Sequence, residues 1–139
     1  MKKIVLALCL CLACVGSMEA CKKSWKKGTA EWKKIQIQET LDYNHAFNTA
    51  LELVSNDYEM DLINKDGGYI RTEWSYMKNK KGKRIKDMRM RITIKFNHDR
   101  TQLQVRTEAQ KLKRNDWIEG EDSALSKQIR DDLQGALGY

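Results

Sequence analysis

From Arg84 to Phe96, Ile85 aside, the chain alternates. Met88, Met90, Ile92, Ile94 and Phe96 are apolar, and Arg89, Arg91, Thr93 and Lys95 lie between them. Period-two alternation predicts a β-strand with one apolar and one cationic face. The same period recurs in KKIQIQETL (Ile35, Ile37), in YEMDLIN (Tyr58, Met60, Leu62), in YIRTEWSYM (Ile70, Thr72, Trp74, Tyr76) and in TQLQVRTEAQKL (Leu103, Val105, Thr107, Ala109). Turn residues separate the last four: KDGG at 65–68, KNKKGK through Gly82, and NHDR at 97–100.

Two stretches have a helical period instead. Tyr43, Ala46, Phe47, Ala50, Leu51 and Val54 fall at spacings of three and four, behind Asp42 as a candidate N-cap. Near the end, Leu125, Ile129, Leu133 and Leu137 recur every four residues. Asp122 or Ser123 is placed to cap that helix and Gly138 to stop it. The predicted order is β-α-β-β-β-β-α. This is an α+β fold with an antiparallel sheet of about five strands and both helices packed on its apolar face. The opposite face is predicted to be wet. It carries Arg71, Glu73, Ser75, Arg89, Arg91, Thr93, Lys95, Gln102, Gln104, Arg106 and Glu108, while Trp74, Tyr76 and Phe96 fall on the buried side by alternation.

The first twenty residues have a different character. Lys2 and Lys3 precede Ile4–Gly16, an apolar run of 13 residues, followed by small residues. A membrane-spanning helix needs about 20 residues, so the run has the length of a signal-peptide core. Cys9, Cys11 and Cys14 lie within or at the end of it, and Cys21 follows. The 118 residues after Cys21 contain no cysteine, so an internal disulfide is not expected in the exported domain. A single cysteine closing such a segment resembles a bacterial lipoprotein signal, in which that cysteine is acylated and becomes the mature N-terminus. Cys21 in Met18-Glu19-Ala20-Cys21 is the expected lipidation site and carrier of palmitate. Cys14 is a second candidate, and plain secretion after Ala20 is the alternative. The expected organisation is a signal peptide over 1–20, a tether over 21–32, and one domain over 33–139. Trp25 and Trp32, in the Lys-rich tether, either rest at a membrane interface or tuck against the domain.

Charge narrows the partners. The whole chain carries a formal net charge of +7, but Arg71 to Arg114 holds 15 basic and 4 acidic residues, whereas Asn115 to Tyr139 holds 2 and 6. Arg71, Arg89, Arg91, Lys95 and Arg106 form the candidate binding surface, for an acidic partner or anionic head groups, or for water alone. Nucleic acid is not expected, because RNA-binding sheets expose aromatics on the basic face and here alternation hides them. Nothing has the spacing of a metal site, a nucleophile motif or a phosphate loop, so no cofactor, metal or catalytic residue is assigned. His98 beside Asp99 is the nearest thing to a hydrolytic pair, and His45 lies next to the apolar face of its helix.

The helix YNHAFNTALELV, the stretch YEMDLINKDGGYIRTEWSY with its glycine turn, the long basic-alternating strand, and the closing WIEG…L-x-x-x-I-x-x-x-L helix together resemble the small helix-grip domains of BamC-like outer-membrane lipoproteins. The resemblance runs over about Lys33 to Leu137. It implies a non-enzymatic accessory of the machinery that inserts β-barrels, lipid-anchored in the outer membrane and facing the periplasm. Enterobacterial members have a long N-terminal segment and two such domains; this chain has a short tether and one. The alternative is a soluble secreted domain that binds a ligand or inhibits an enzyme.

Overall fold

The computed structural model describes residues 24–139. The chain runs β1 (Trp25–Lys27), β2 (Lys33–Gln36), α1 (Tyr43–Ser55), β3 (Met60–Asn64), β4 (Tyr69–Thr72), β5 (Ser75–Lys78), β6 (Arg84–Phe96), β7 (Gln102–Lys113), β8 (Asp116–Asp122) and α2 (Ser123–Leu137). The fold is α+β with two helices and an antiparallel sheet, as expected, but the sheet has eight strands rather than about five. The three additional strands arise for identifiable reasons. One expected strand, 69–77, is broken in two. β1 and β8 are short, half-polar strands that carry no clean alternation.

Two long strands form the spine. β6 and β7 pair from Met88↔Lys111 to Phe96↔Leu103. Each is longer than its outer neighbours, so each is flanked by two short strands end to end. β6 carries β4 and then β5 along its outer edge; β7 carries β2 and β8 along its own. β3 adds to β4, and β1 adds to β8. The tether expected to extend to Trp32 is thus part of the domain from Ser24 onward. Trp25–Lys27 is a strand, Ser24 Oγ donates to Asp122 Oδ2 at 2.6 Å, and Trp25 Nε1 donates to the Ala109 carbonyl at 3.3 Å. Gly120 permits this docking: a Cβ there would meet the Lys26 carbonyl at 2.4 Å and the Trp25 ring at 2.5 Å.

The apolar side of the spine meets both helices. Ile35, Ile37, Ile70, Met90, Ile92, Ile94, Phe96, Leu103 and Val105 from the sheet close against Phe47 and Val54 of α1 and Ile129, Leu133 and Leu137 of α2. Burial of this set at ~1.5–3 kcal/mol per large side chain drives the fold. Both helix starts are capped as the sequence suggests. Asp42 accepts from His45 N at 2.9 Å, and Asp122 accepts from Leu125 N at 3.0 Å; such caps are worth about 1 kcal/mol each. Leu62 misses the core and is 41% exposed, because the β3–β4 register shifts between Met60 and Leu62.

The break between β4 and β5 reorders one face. β4 follows β6 only as far as Arg71↔Thr93; pairing resumes at Ser75↔Met90. Between them Thr72 turns fully inward. Its Oγ1 accepts from Ile92 N at 3.0 Å and donates to the Glu73 carbonyl at 3.0 Å. A side-chain oxygen thereby takes over the backbone acceptor that the departing strand no longer supplies. Glu73 N meanwhile donates to the Glu59 carbonyl at 2.8 Å. Past this point the alternation is inverted. Ser75 and Met77 now take the core side, and Trp74 and Tyr76 take the cationic side.

Two stability measurements check this account. Ile92→Ala, at 1% exposure, is expected to cost ~2–5 kcal/mol in chemical denaturation. Thr72→Val keeps the shape but strips the Ile92 N–H of its acceptor and the Glu73 carbonyl of its donor, so a loss of ~1–3 kcal/mol is expected. A neutral Thr72→Val would remove the hydroxyl from the strand switch.

Candidate functional site: a cation–aromatic ladder across the sheet

The sequence-predicted surface residues Arg71, Arg89, Arg91, Lys95 and Arg106 all lie on the sheet face opposite the helices, and they do so in two groups. Arg71 sits toward the β3 edge, where Nε donates to Asp61 Oδ2 at 2.6 Å. That carboxylate holds the Arg71 pKa above its ordinary value. The other four interleave with aromatic rings. The Arg89 guanidinium lies 4.1 Å from the Trp117 ring centre and 4.9 Å from that of Trp74. Arg91 lies 4.5 Å from Trp74. Arg106 lies 4.7 Å from Trp32, Lys95 lies 4.8 Å from the same ring, and Lys95 also lies 5.6 Å from Tyr69. All fall within the ~6 Å at which a cation is attracted by a ring's quadrupole.

One carboxylate ties the ladder together at its middle. Glu108 Oε2 accepts from Arg91 Nε at 3.0 Å, and its Oε1 lies 3.3 Å from Arg91 Nη2 and 3.4 Å from Arg106 Nη2. Farther along, Arg89 Nε donates to Gln110 Oε1 at 2.8 Å. Four cations and one carboxylate therefore make up the ladder. Burial holds the Arg89 pKa below its ordinary value, with the neighbouring Arg91 charge acting in the same direction.

The centre of this face is not wet. Thr93 is 1% exposed, and neither its Oγ1 nor Arg106 Nε has a hydrogen-bond partner among the described residues. The cover comes from the chain between β1 and β2. Ala30 is buried, and Trp32 lies over Arg106 and Lys95. Lys95 itself stays exposed and has no carboxylate partner among the described residues. It is the ladder's open end.

Sequence reasoning found the cations and missed the rings. Trp74 and Tyr76 are on the cationic side because the Thr72 switch inverts the alternation. Trp32 comes from the segment read as a tether, and Trp117 from one outside the alternating strands, to which periodicity assigns no element. A signal for β8 was present: Lys113-Arg114-Asn115-Asp116 follows a long strand and precedes the strand formers Trp117 and Ile118, with Asn115 able to adopt positive φ. The argument that no aromatics line the basic face is accordingly overturned. Their ring faces are nonetheless occupied by guanidinium and ammonium groups rather than open to stacking bases. Phe96, by contrast, is buried with α1 as expected; its ring lies 5.3 Å from Tyr43 and 5.7 Å from Phe47.

His45, in the first turn of α1, and His98, in the β6–β7 turn, are both exposed. Among the described residues no group of three His, Cys, Asp or Glu side chains is arranged to hold a metal, and no helix is long and apolar enough to cross a membrane. A separate groove of about 710 Å³ opens beside β5, lined by Tyr58, Trp74, Tyr76, Met77, Met90 and Leu125 among others. Cys21 and Cys14 lie outside the described residues.

The ladder makes Arg91 a packed residue and Lys95 a free one. Arg91→Ala is expected to lose ~1–2 kcal/mol, from its Glu108 pair and its contact with Trp74. Lys95→Ala is expected to stay within ~0.5 kcal/mol. Equal losses in urea titrations of the two variants would mean that the ladder does not contribute to stability. No family model matches this chain, and no curated protein matches it at a significant level.

Proposed function

We propose that this protein is a non-enzymatic envelope lipoprotein, anchored through a lipid on Cys21, that presents its cation–aromatic face to an acidic protein partner. The observation that carries this reading is the make-up of the ladder: three guanidiniums, one ammonium and four aromatic rings share a single carboxylate. These groups recognise charge and flat surface, and the one carboxylate among them is engaged by Arg91 and Arg106. The ring contacts hold the cations in fixed positions, so little side-chain entropy is lost when an anion docks. An assembly role in the outer membrane, of the kind the BamC-like resemblance implies, is in keeping with a small rigid domain that begins a few residues after the anchor.

A second reading, a soluble secreted ligand-binding or inhibitor domain, draws on the groove beside β5. Its volume of about 710 Å³ is within the ~300–1,000 Å³ range of small-molecule sites.

Two experiments separate these. Labelled palmitate is expected on the wild type and not on Cys21→Ala, which should leave the membrane fraction while keeping its fold. Labelling of the variant would move the site to Cys14, and absence of label from both would favour the secreted form. For the face, Lys95→Glu combined with Gln104→Glu places two negative charges opposite each other across β6 and β7; it removes the ammonium from over Trp32 and Tyr69 and leaves the three guanidiniums and Glu108 unaltered. Affinity capture from solubilised envelopes is expected to lose an acidic partner in this variant, and wild-type capture should weaken as salt rises, since exposed charges are screened beyond ~8–10 Å. Capture that is indifferent to both changes would leave the face as a structural element.

A further inference from the structure

The strongest unpaired charge lies away from the ladder, at the end of the sheet where the β5–β6 and β7–β8 turns come together. Met88 pairs with Lys111, and Lys113 pairs with Asp116, which puts both turns at the same end of the spine, beyond the last β6–β7 pair. Lys78 to Lys86 contains six cations and no carboxylate; Lys111 to Arg114 adds three. Asp87 and Asp116 flank the two segments, and Asp57 and Glu59 line the same groove as Lys78 and Arg84. None of these nine cations makes an ion pair among the described residues, and all but Lys111 are exposed.

The turns show that this charge is not a by-product of folding. In the first, the structural work falls to two residues. Asn79 Oδ1 accepts from Lys81 N at 2.9 Å and Lys83 N at 3.0 Å, and Gly82 supplies a φ of 73°. At the remaining turn positions only backbone groups take part, and every one of their side chains is a lysine: Lys80, Lys81 and Lys83. In the second turn Arg114 and Asn115 have φ of 48° and 70°. Asn suits that region, but a long side chain there costs ~1–2 kcal/mol, and Asn or Gly is the usual choice. An arginine held at a strained hairpin tip indicates a use for its charge.

We propose that this tip docks on an anionic lipid surface and sets the orientation of the domain at the membrane. Eight exposed cations are spread over the two turns; Arg84 stacks on Tyr76 at 5.2 Å, and the rest, free of ion pairs, read charge density rather than shape, as a headgroup layer requires. The chain offers a reason for the membrane to be near. Three residues separate Cys21 from β1, a reach of roughly 13 Å, and Trp25 pairs with Asp122 at the far end of β8 from the tip. β8 is seven residues long, about 23 Å. With β8 lying along the bilayer, the N-terminal attachment and the tip touch the same surface. The placement by the anchor rests on the proposed lipidation; the tip's affinity for anionic lipid does not.

The test therefore uses unlipidated protein, residues 21–139 with Cys21→Ala, which contains the whole core and sheet described above. Sedimentation with vesicles of phosphatidylcholine plus phosphatidylglycerol is expected to bring down the protein at low salt and to fail at roughly 0.5 M salt; vesicles of phosphatidylcholine alone should not bind. Reversing Lys80, Lys81 and Lys83 to Glu should weaken binding at least tenfold, while reversing the scattered Lys34, Lys65 and Lys127 to Glu should change it far less. Arg114→Asn should keep or raise the melting temperature and lower vesicle affinity about fivefold, the loss expected for one cation at the surface. Equal loss from the two triple reversals would show attraction to net charge and overturn the tip as a site. So would tighter, tip-dependent binding to polyglutamate than to the anionic vesicles, which would make the occupant an acidic polypeptide. Absence of binding to anionic vesicles would overturn the proposal while leaving the palmitate result on Cys21 unaffected.

Discussion

The pairing of β6 with β7, in unbroken register from Met88↔Lys111 to Phe96↔Leu103, sets the side of the sheet on which every other element finds its place. Antiparallel register puts Ile92, Ile94 and Phe96 beside Thr107, Val105 and Leu103 on one face, and Arg89, Arg91 and Lys95 beside Gln110, Glu108 and Gln104 on the other. A slip of one residue would exchange the two faces completely. Both helices seal the first face. On the second, the register brings Glu108 opposite Arg91 and beside Arg106, and so creates the ion-paired centre of the ladder. The length of these two strands has a further effect. Each outer edge accommodates two short strands, and the uncapped far end projects as a pair of basic turns.

The cationic face shows how a sheet surface that alternation marks as solvated becomes partly dry. Arginine has a flat, weakly hydrated head and a long apolar stem, so it packs against indole without losing its charge. Trp32, Trp74 and Trp117 come from three separate segments and fill the spaces between Arg89, Arg91, Arg106 and Lys95. The result is rigid at Arg91 and open at Lys95. Stabilisation and recognition thus reside in different members of one patch, which is why charge reversal is informative at Lys95 and disruptive at Arg91.

The three basic features of the domain differ in how their charge is held. Arg71 is neutralised locally by Asp61. The ladder spreads its charge over rings and one carboxylate. The tip leaves its lysines unpaired in water, where they retain full hydration and long reach. Only the last arrangement suits a diffuse anionic surface, whereas the ladder suits a partner with shape of its own.

Short-range pattern was enough to determine the helices with their Asp42 and Asp122 caps, the β6–β7 spine, its core face, and the list of cations on the other face. These follow from periodicity and capping, which act over a few residues and need no knowledge of distant neighbours. The strand count and the aromatic half of the ladder were settled by tertiary structure. Thr72 abandons the β6 ladder and satisfies Ile92 N with its hydroxyl, a bond between residues twenty apart, and this inverts every side chain from Trp74 to Met77. β1 and β8 are too short and too polar to show an alternation of their own. They become strands because β7 extends past β2 with unpaired backbone groups, and free N–H and C=O groups along a sheet edge are satisfied by whatever segment the fold brings beside them.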